Sequence, residues 1–410
     1  MKNSNPLIGP KILFLLSFCL LSKIVLSQQI DSTQVVINQT DKKSWNTLNF
    51  KNISFTLTGR LAGEAIFTSD ATDTRAFTLY ALPRTAQRAP QSTITGQSTT
   101  LGLKVNGPQI KKWMLGGYVQ FDFHGSRPSL NEAGAYLLNA YVEIANESWR
   151  FRFGAMEDLI APLNPIMVNW TSSQAAGNLG GTYRGHFRAD YFTKKKENIR
   201  WQLSAAISQT VVNDKIDDEN GIVTDNGMPN FIGRIGIQLG SEKEDGARPF
   251  EIGLSGLYTQ LASAIVTGTE KYISDANALA FDLRWEVNKV GLRAEVFAGK
   301  GMGTHMGGIG QSVNLDNAKS IHSKGEFGQI WYRPIPKIMV SVIYGIDDPE
   351  NNDLSSSQRS LNSLHAANIF IELLRDFELA VEIGRWQTDY ITPAIDNYVN
   401  VVNCRIQYSF

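Results

Sequence analysis

The stretch Phe55-Thr56-Leu57-Thr58-Gly59-Arg60-Leu61-Ala62-Gly63-Glu64-Ala65-Ile66-Phe67 alternates along its whole length. Phe55, Leu57, Gly59, Leu61, Gly63, Ala65 and Phe67 share one parity, while Thr56, Thr58, Arg60 and Glu64 share the other. Successive side chains of a strand point to opposite faces, so this segment has an apolar face and a charged face. In a soluble sandwich the apolar face would be the core. In a membrane barrel it faces lipid, and the charged face lines a watery lumen. The remainder of the chain separates the two readings.

The same parity test gives about sixteen segments, at 54–67, 98–106, 113–123, 137–145, 149–156, 185–192, 199–208, 230–240, 249–259, 277–287, 290–300, 323–333, 337–346, 364–374, 376–386 and 397–410. The gaps between them alternate long and short. Long ones at 68–97, 124–136, 157–184, 209–229, 260–276, 301–322, 347–363 and 387–396 are interleaved with turns such as Asn146-Glu147-Ser148, Asn288-Lys289 and Arg375. Bacterial barrels have this rhythm, with an even strand number, long extracellular loops and short periplasmic turns. Closure has a physical cause, because an open sheet edge in hydrocarbon leaves backbone groups unpaired at several kcal/mol each. The expected fold is all-β, a transmembrane antiparallel β-barrel of about sixteen strands spanning 54–410.

The two ends of the chain agree with this. Lys2 and Lys11 flank a polar start followed by Ile12-Leu13-Phe14-Leu15-Leu16, and Val25-Leu26-Ser27 supplies short side chains for cleavage after Ser27. Residues 1–27 therefore read as a signal peptide. Residues 28–53 are polar, lack period and heptads, and read as a short, loosely ordered periplasmic extension. Cleavage would leave Cys404 as the only cysteine, which excludes an intrachain disulfide. With 42% hydrophobic residues and no later run of 18 apolar ones, membrane-spanning helices are excluded too. At the other end Val402, Cys404, Ile406, Tyr408 and Phe410 share the lipid parity, and the chain stops on Phe410. An aromatic terminus of this kind is the signal expected for the barrel-assembly machinery, with Phe410, Tyr408 and Ile406 as its core. Trp113, Phe123, Trp149, Phe250, Tyr258 and Trp285 fall at strand ends, as an interfacial aromatic girdle would.

Four pieces of sequence resemble the DcaP-like porins: Gly59-Arg60-Leu61, Thr99-Thr100-Leu101-Gly102-Leu103, Phe153-Gly154-Ala155-Met156, and Ala176-Gly177-Asn178 with Arg184. The likeness covers the layout of most of the mature chain and is best over 55–190. It implies a sixteen-stranded barrel, a homotrimer, and uptake of small, often anionic solutes. Members of that family can carry an N-terminal coiled coil, which 28–53 lacks.

A channel needs a constriction. The third long gap, 157–184, is Gly-rich and nearly uncharged apart from Glu157, Asp158 and Arg184, so it is the candidate constriction loop. Lumen-parity charges are unevenly spread. Arg60 stands on the first strand, and Arg150, Arg152, Arg188, Arg200 and Arg234 on strands five to eight, with Asp190 among them. Glu372, Glu378 and Glu382 on strands fourteen and fifteen form an opposing acidic wall. A transverse field and a weak anion preference follow, since charge rings set pore selectivity and arginine stays charged. The Gly-rich 299–310 stretch lacks phosphate-loop spacing and reads as an external loop. The five histidines are scattered, with no His-Glu-x-x-His and no Gly-x-Ser-x-Gly elbow, so no enzyme, metal or cofactor is indicated. Zero net charge gives no attraction to nucleic acid. The expected partners are outer-membrane lipid, the assembly machinery and small hydrophilic solutes. General diffusion and a substrate-specific, saturable channel both fit, with an enzymatic or adhesive barrel as a remote third reading.

Overall fold

The computed structural model describes residues 46–83, 89–125, 134–170, 175–180, 183–193, 198–210, 223–242, 247–263, 272–392 and 397–410. Residues 1–45, which include the expected signal peptide, lie outside them. One antiparallel sheet closes on itself. Its sixteen strands are β1 (Ile53–Thr68), β2 (Gln91–Thr95 and Thr100–Ile110), β3 (Trp113–Asp122), β4 (Tyr136–Ala145), β5 (Trp149–Glu157), β6 (Tyr183–Phe192), β7 (Ile199–Ser208), β8 (Val223–Asp225 and Asn230–Leu239), β9 (Phe250–Ser263), β10 (Tyr272–Val287), β11 (Val290–Lys300), β12 (His322–Ile335), β13 (Ile338–Pro349), β14 (Arg359–Leu374), β15 (Phe377–Tyr390) and β16 (Asn397–Ser409). Every strand pairs with its neighbours in sequence, and β16 pairs with β1.

The opening stretch behaves as its alternation requires. Leu57, Leu61 and Phe67 are exposed on the outer face, while Glu64 is buried inside. Outward apolar residues such as Phe153, Leu203, Ile235, Leu279 and Val342 extend this band around the wall. At the short-turn rim Trp149 stacks on Phe151 at 5.7 Å and packs on Tyr191 at 4.9 Å, and Phe250 pairs across strands with Trp285. A closed sheet with an apolar exterior and polar interior is the transmembrane solution, because all backbone polar groups are paired within it.

Three parts of the sequence expectation are corrected. Thr47–Phe50, assigned to a loosely ordered extension, forms a short strand paired antiparallel with the start of β1. Strands β2, β8, β9, β10 and β14 reach further toward the long loops than parity indicated. In these extensions polar residues enter both faces and isolated apolar ones such as Ile94 and Leu261 fall on either, so alternation loses its contrast there. The 299–310 stretch, placed outside, is instead buried: Met302, Thr304, His305 and Ile309 are at most 2% exposed.

The seam is closed by the last residue. Phe410 donates its backbone N–H to Gly59 O at 3.0 Å and accepts from Gly59 N at 3.0 Å. Tyr408 and Ile406 project outward beside it. Gln407 faces inward and donates to Glu378 at 3.1 Å. Deleting Phe410 removes two seam bonds in hydrocarbon, whereas Gln407→Ser removes one side-chain contact. Deletion of Phe410 is therefore expected to abolish the heat-modifiable, compact form on electrophoresis, and Gln407→Ser to preserve it; equal yields of compact protein would contradict the seam's role.

Candidate pore and the loops that fill it

The described residues of loop 3, 158–170 and 175–180, turn into the barrel and lie along the inner faces of β9 to β16. It brings its own backbone polar groups, which must be satisfied away from bulk water. Wall side chains do this. Ser255 on β9 accepts from Ala161 N at 3.1 Å, and Gln329 on β12 accepts from Ile166 N at 2.7 Å. Glu382 on β15 accepts from Val168 N at 2.9 Å and Asn169 N at 3.2 Å, while Arg405 on β16 donates to Val168 O at 3.1 Å. On the return, Leu179 N donates to Glu295 on β11 at 2.7 Å. Hydrogen bonds to charged groups contribute roughly 1.5–3 kcal/mol each, so such anchors offset part of the cost of ordering the loop, and packing against the wall supplies the rest.

Between these anchors the loop packs tightly. Gly177 has φ of +78°, and a Cβ there would run into the carbonyl oxygens of Glu326 and Ile346. A Cβ on Gly345 of β13 would strike Ala176 O. The Ala176-Gly177-Asn178 piece thus has its small residues because loop backbone lies against wall backbone.

Loop 6, residues 301–321, also folds inward. Met302 and Val313 join Leu159, Ile160 and Leu179 of loop 3 and Leu257, Leu261 and Phe297 of the wall in one apolar cluster. Asp347 on β13 accepts from Gly308 N at 3.2 Å and Ile309 N at 2.8 Å. Loops 3 and 6 meet at a buried polar seam. Arg184 on β6 pairs with Asp158 at 2.9 Å and donates to Thr304 O at 2.6 Å, and His305 Nε2 lies 3.6 Å from the Asp158 carboxylate. His305 O accepts from Gly180 N at 2.8 Å. Both of the residues predicted to charge the loop's ends, Asp158 and Arg184, are therefore spent on holding it. Glu157 accepts from Asn164 at 2.6 Å and borders open space.

That open space is a cavity of about 1070 Å³ on the other side of the lumen, bounded by loop 3 and the inner faces of β2 to β10. Its rim includes Lys112 and the 146–149 turn, so it opens toward the periplasmic end. Arg150, Arg152, Arg188, Arg200 and Arg234 all border this cavity, together with Arg284, which parity had not singled out. Their charges are unequal in availability. Arg152 and Arg188 each reach Asp190 at 2.9 Å. Arg234 holds Asp282 at 2.6 Å and Glu251 at 3.3 Å, and Arg284 holds Glu251 at 3.1 Å. Arg150 lies 3.6 Å from Glu143. Arg200 has no carboxylate within salt-bridge distance among the described residues. Its guanidinium sits 4.4 Å from the centre of the Phe192 ring, with that of Arg150 also near the ring at 5.3 Å.

The other predicted positions lie elsewhere. Arg60 donates to Ser98 O at 3.0 Å, away from the cavity. Glu372, Glu378 and Glu382 do not line it either. Glu382 is covered by loop 3, Glu378 is engaged by Gln407, and Glu372 is buried. Of the opposing acidic wall of the sequence reading, Glu382 anchors a loop, and none of the three carboxylates faces the cavity. Arginine pairing was not legible because it depends on the β8–β9–β10 register, which the intervening turns fix.

No family model and no curated protein matches the sequence. Solved structures do. The outer-membrane channel DcaP of Acinetobacter baumannii superposes with a TM-score of 0.72 at 17% identity, covering 88% of this chain and 99% of that one. The chain has the porin barrel fold. The OmpT outer-membrane protein of Vibrio cholerae follows at 0.56 and 12% identity, over 89% of this chain and 100% of that one. OmpF of Salmonella typhi, solved with daunomycin, gives 0.55 at 10% identity over 89% and 100%. At these identities the likeness establishes the fold.

The seam between loops 3 and 6 carries a pH signature. Burial and the neighbouring Arg184 cation push the His305 imidazole down to about 3 from 6.5. For Asp158, burial acts upward but Arg184 and the two nearby histidines prevail and hold the carboxyl below its usual range. Both folded values are depressed, so the stability these groups lend is present above pH 6.5 and is lost as pH falls toward about 3. The first loop, which follows Thr68 at the end of β1 and includes Asp73, has the opposite sign: burial raises Asp73 to about 6 although Leu79 N and Tyr80 N bond to it, so its contribution is lost as pH rises through 6. Hydrogen exchange, corrected for intrinsic rates, is expected to show Gly180 and Met306 losing protection on acidification while Leu79 and Tyr80 gain it. Parallel behaviour of the two loops would contradict this assignment.

Proposed function

We propose that this chain is an outer-membrane porin that passes small hydrophilic solutes by diffusion, with a weak preference for anions. One observation carries the reading: a closed barrel with an apolar outer band encloses a cavity of about 1070 Å³ whose wall bears six arginines. An apolar exterior of this extent is tolerated in lipid and not in water. The fold shared with the DcaP channel and with OmpF supports a channel over an enzyme. Loop 3, pressed on one wall, narrows the lumen and is the proposed constriction. A homotrimer fits the trimer form in which one V. cholerae OmpT structure is described. The signal peptide, and assembly through recognition of Phe410, Tyr408 and Ile406, belong to the same proposal.

Selectivity then rests on fewer residues than the arginine count suggests. Paired guanidiniums present little net field, whereas Arg200, which shares the Phe192 ring with Arg150, keeps its charge for a passing anion. At about 4 Å two unit charges interact by about 1 kcal/mol in bulk water and about 4 kcal/mol at an effective dielectric near 20. A value at the lower end gives severalfold discrimination. A second, saturable-channel reading is favoured by the same pair, since two cations on one Phe192 ring make a local binding point for an anion.

Reversal potentials in a salt gradient test this. Native protein in planar bilayers is expected to prefer anions, Arg200→Gln to remove most of the preference, and Arg60→Gln, outside the cavity, to leave it intact. Cation preference in the native channel, or equal effects of the two substitutions, would contradict the assignment.

A further inference from the structure

The outer surface of β12 to β16 carries a sharp chemical boundary. One row of cross-strand neighbours reads Ile330, Val342, Ala367, Ile383, Val402 and, across the seam, Phe67. Ile330, Val342 and Ile383 in it are 54%, 59% and 58% exposed, as lipid-facing side chains are. The next row toward the long loops, two residues further along each strand, reads Gly328, Tyr344, His365, Arg385 and Asn400. Aliphatic side chains give way to a cation, an imidazole and an aromatic ring within one strand repeat. That change marks where hydrocarbon ends and headgroups begin.

Arg385 is unlike the other outward cations near this rim. Lys300 has Asp275 at 3.9 Å, Lys324 has Asp348 at 3.1 Å and His322 has Asp353 at 2.7 Å. Arg385 is exposed and has no carboxylate within salt-bridge distance among the described residues; its guanidinium lies over the Tyr398 ring at 3.9 Å. The outward carboxylate next above it on the same strand, Asp389, accepts from Gln387 at 3.3 Å. His365, directly across from Arg385, is also exposed and stands edge-on to Tyr344 at 5.1 Å. Two aromatic rings thus flank an arginine and a histidine that present their donors outward, at the height where lipid phosphates lie.

We propose that Arg385 and His365, framed by Tyr344 and Tyr398, form a docking site for a phosphate of outer-leaflet lipopolysaccharide, seated with its acyl chains on the Ile330–Val342–Ile383 row. Arginine suits a phosphate because its planar fork donates two parallel hydrogen bonds and stacking on an aromatic ring fixes its plane. The apolar row below supplies the surface for the acyl chains. The proposal rests on the outer-membrane reading, so fractionation of each variant with the outer membrane is checked independently of lipid binding.

The test is native mass spectrometry of the detergent-purified full chain titrated with diphosphoryl lipid A, dephosphorylated lipid A and phosphatidylglycerol. Diphosphoryl lipid A is expected to be retained preferentially, and Arg385→Gln to weaken it about tenfold, equivalent to about 1.4 kcal/mol. Arg385→Lys, which keeps charge but loses the fork, is expected to fall between, and Lys300→Gln to behave as native. Unchanged binding in Arg385→Gln, equal retention of dephosphorylated lipid A or phosphatidylglycerol, or a change of oligomeric state showing that a second copy covers this face, would each overturn the proposal.

Discussion

Backbone N–H and C=O groups cannot be left unpaired in hydrocarbon, and this constraint organises the molecule twice over. It first forces the sheet to close, which is why β16 must meet β1 and why the last residue, Phe410, exchanges two backbone bonds with Gly59. It then acts on whatever enters the lumen. A loop that dives inside carries its own amides away from bulk water, so the wall has to supply acceptors. Glu295, Asp347 and Glu382, three carboxylates on three different strands, do so for loops 3 and 6.

The lumen is divided as a result. Along β9 to β16 it is filled, with apolar wall residues such as Leu257, Phe297 and Trp386 packed into clusters with loop side chains. Along β2 to β10, toward the short turns, it stays open and is lined by arginines in carboxylate-paired networks. The same residue type therefore serves two ends. A carboxylate facing a loop holds backbone, and a carboxylate at or behind the cavity wall, such as Glu251 or Asp190, quiets a guanidinium. The cavity charge left without a carboxylate among the described residues is small, centred on Arg200.

The strands were legible because lipid on one side and polar lumen on the other impose a two-residue contrast, which Phe55 to Phe67 shows in full. Strand tops were not, since at Gln91–Thr95 or Arg359–Ser363 polar residues dominate and only Ile94 and Leu361 interrupt them, so the contrast fades. Inward folding of loop 6 left a trace that parity does not measure. Met302, Met306 and Ile309 are apolar residues in the Gly-rich stretch 301–310, whose only charge-capable side chain is His305, a composition poorly suited to open solvent. Leu257 and Leu261, apolar on the lumen parity, were a second trace of a filled interior. Ion pairing could not be read at all, because Arg234 meets Asp282 across 48 residues only through a register fixed by turns.

The central claim is that buried wall carboxylates, rather than covalent links, keep loop 3 inside the barrel. Single-channel conductance of Glu382→Ala in planar bilayers addresses it most directly. Loss of the acceptor for Val168 and Asn169 frees the far end of the loop, so the account predicts a clearly larger and noisier conductance than native. A conductance equal to native, with protein otherwise fully folded, would show that loop 3 is held by something other than this clamp.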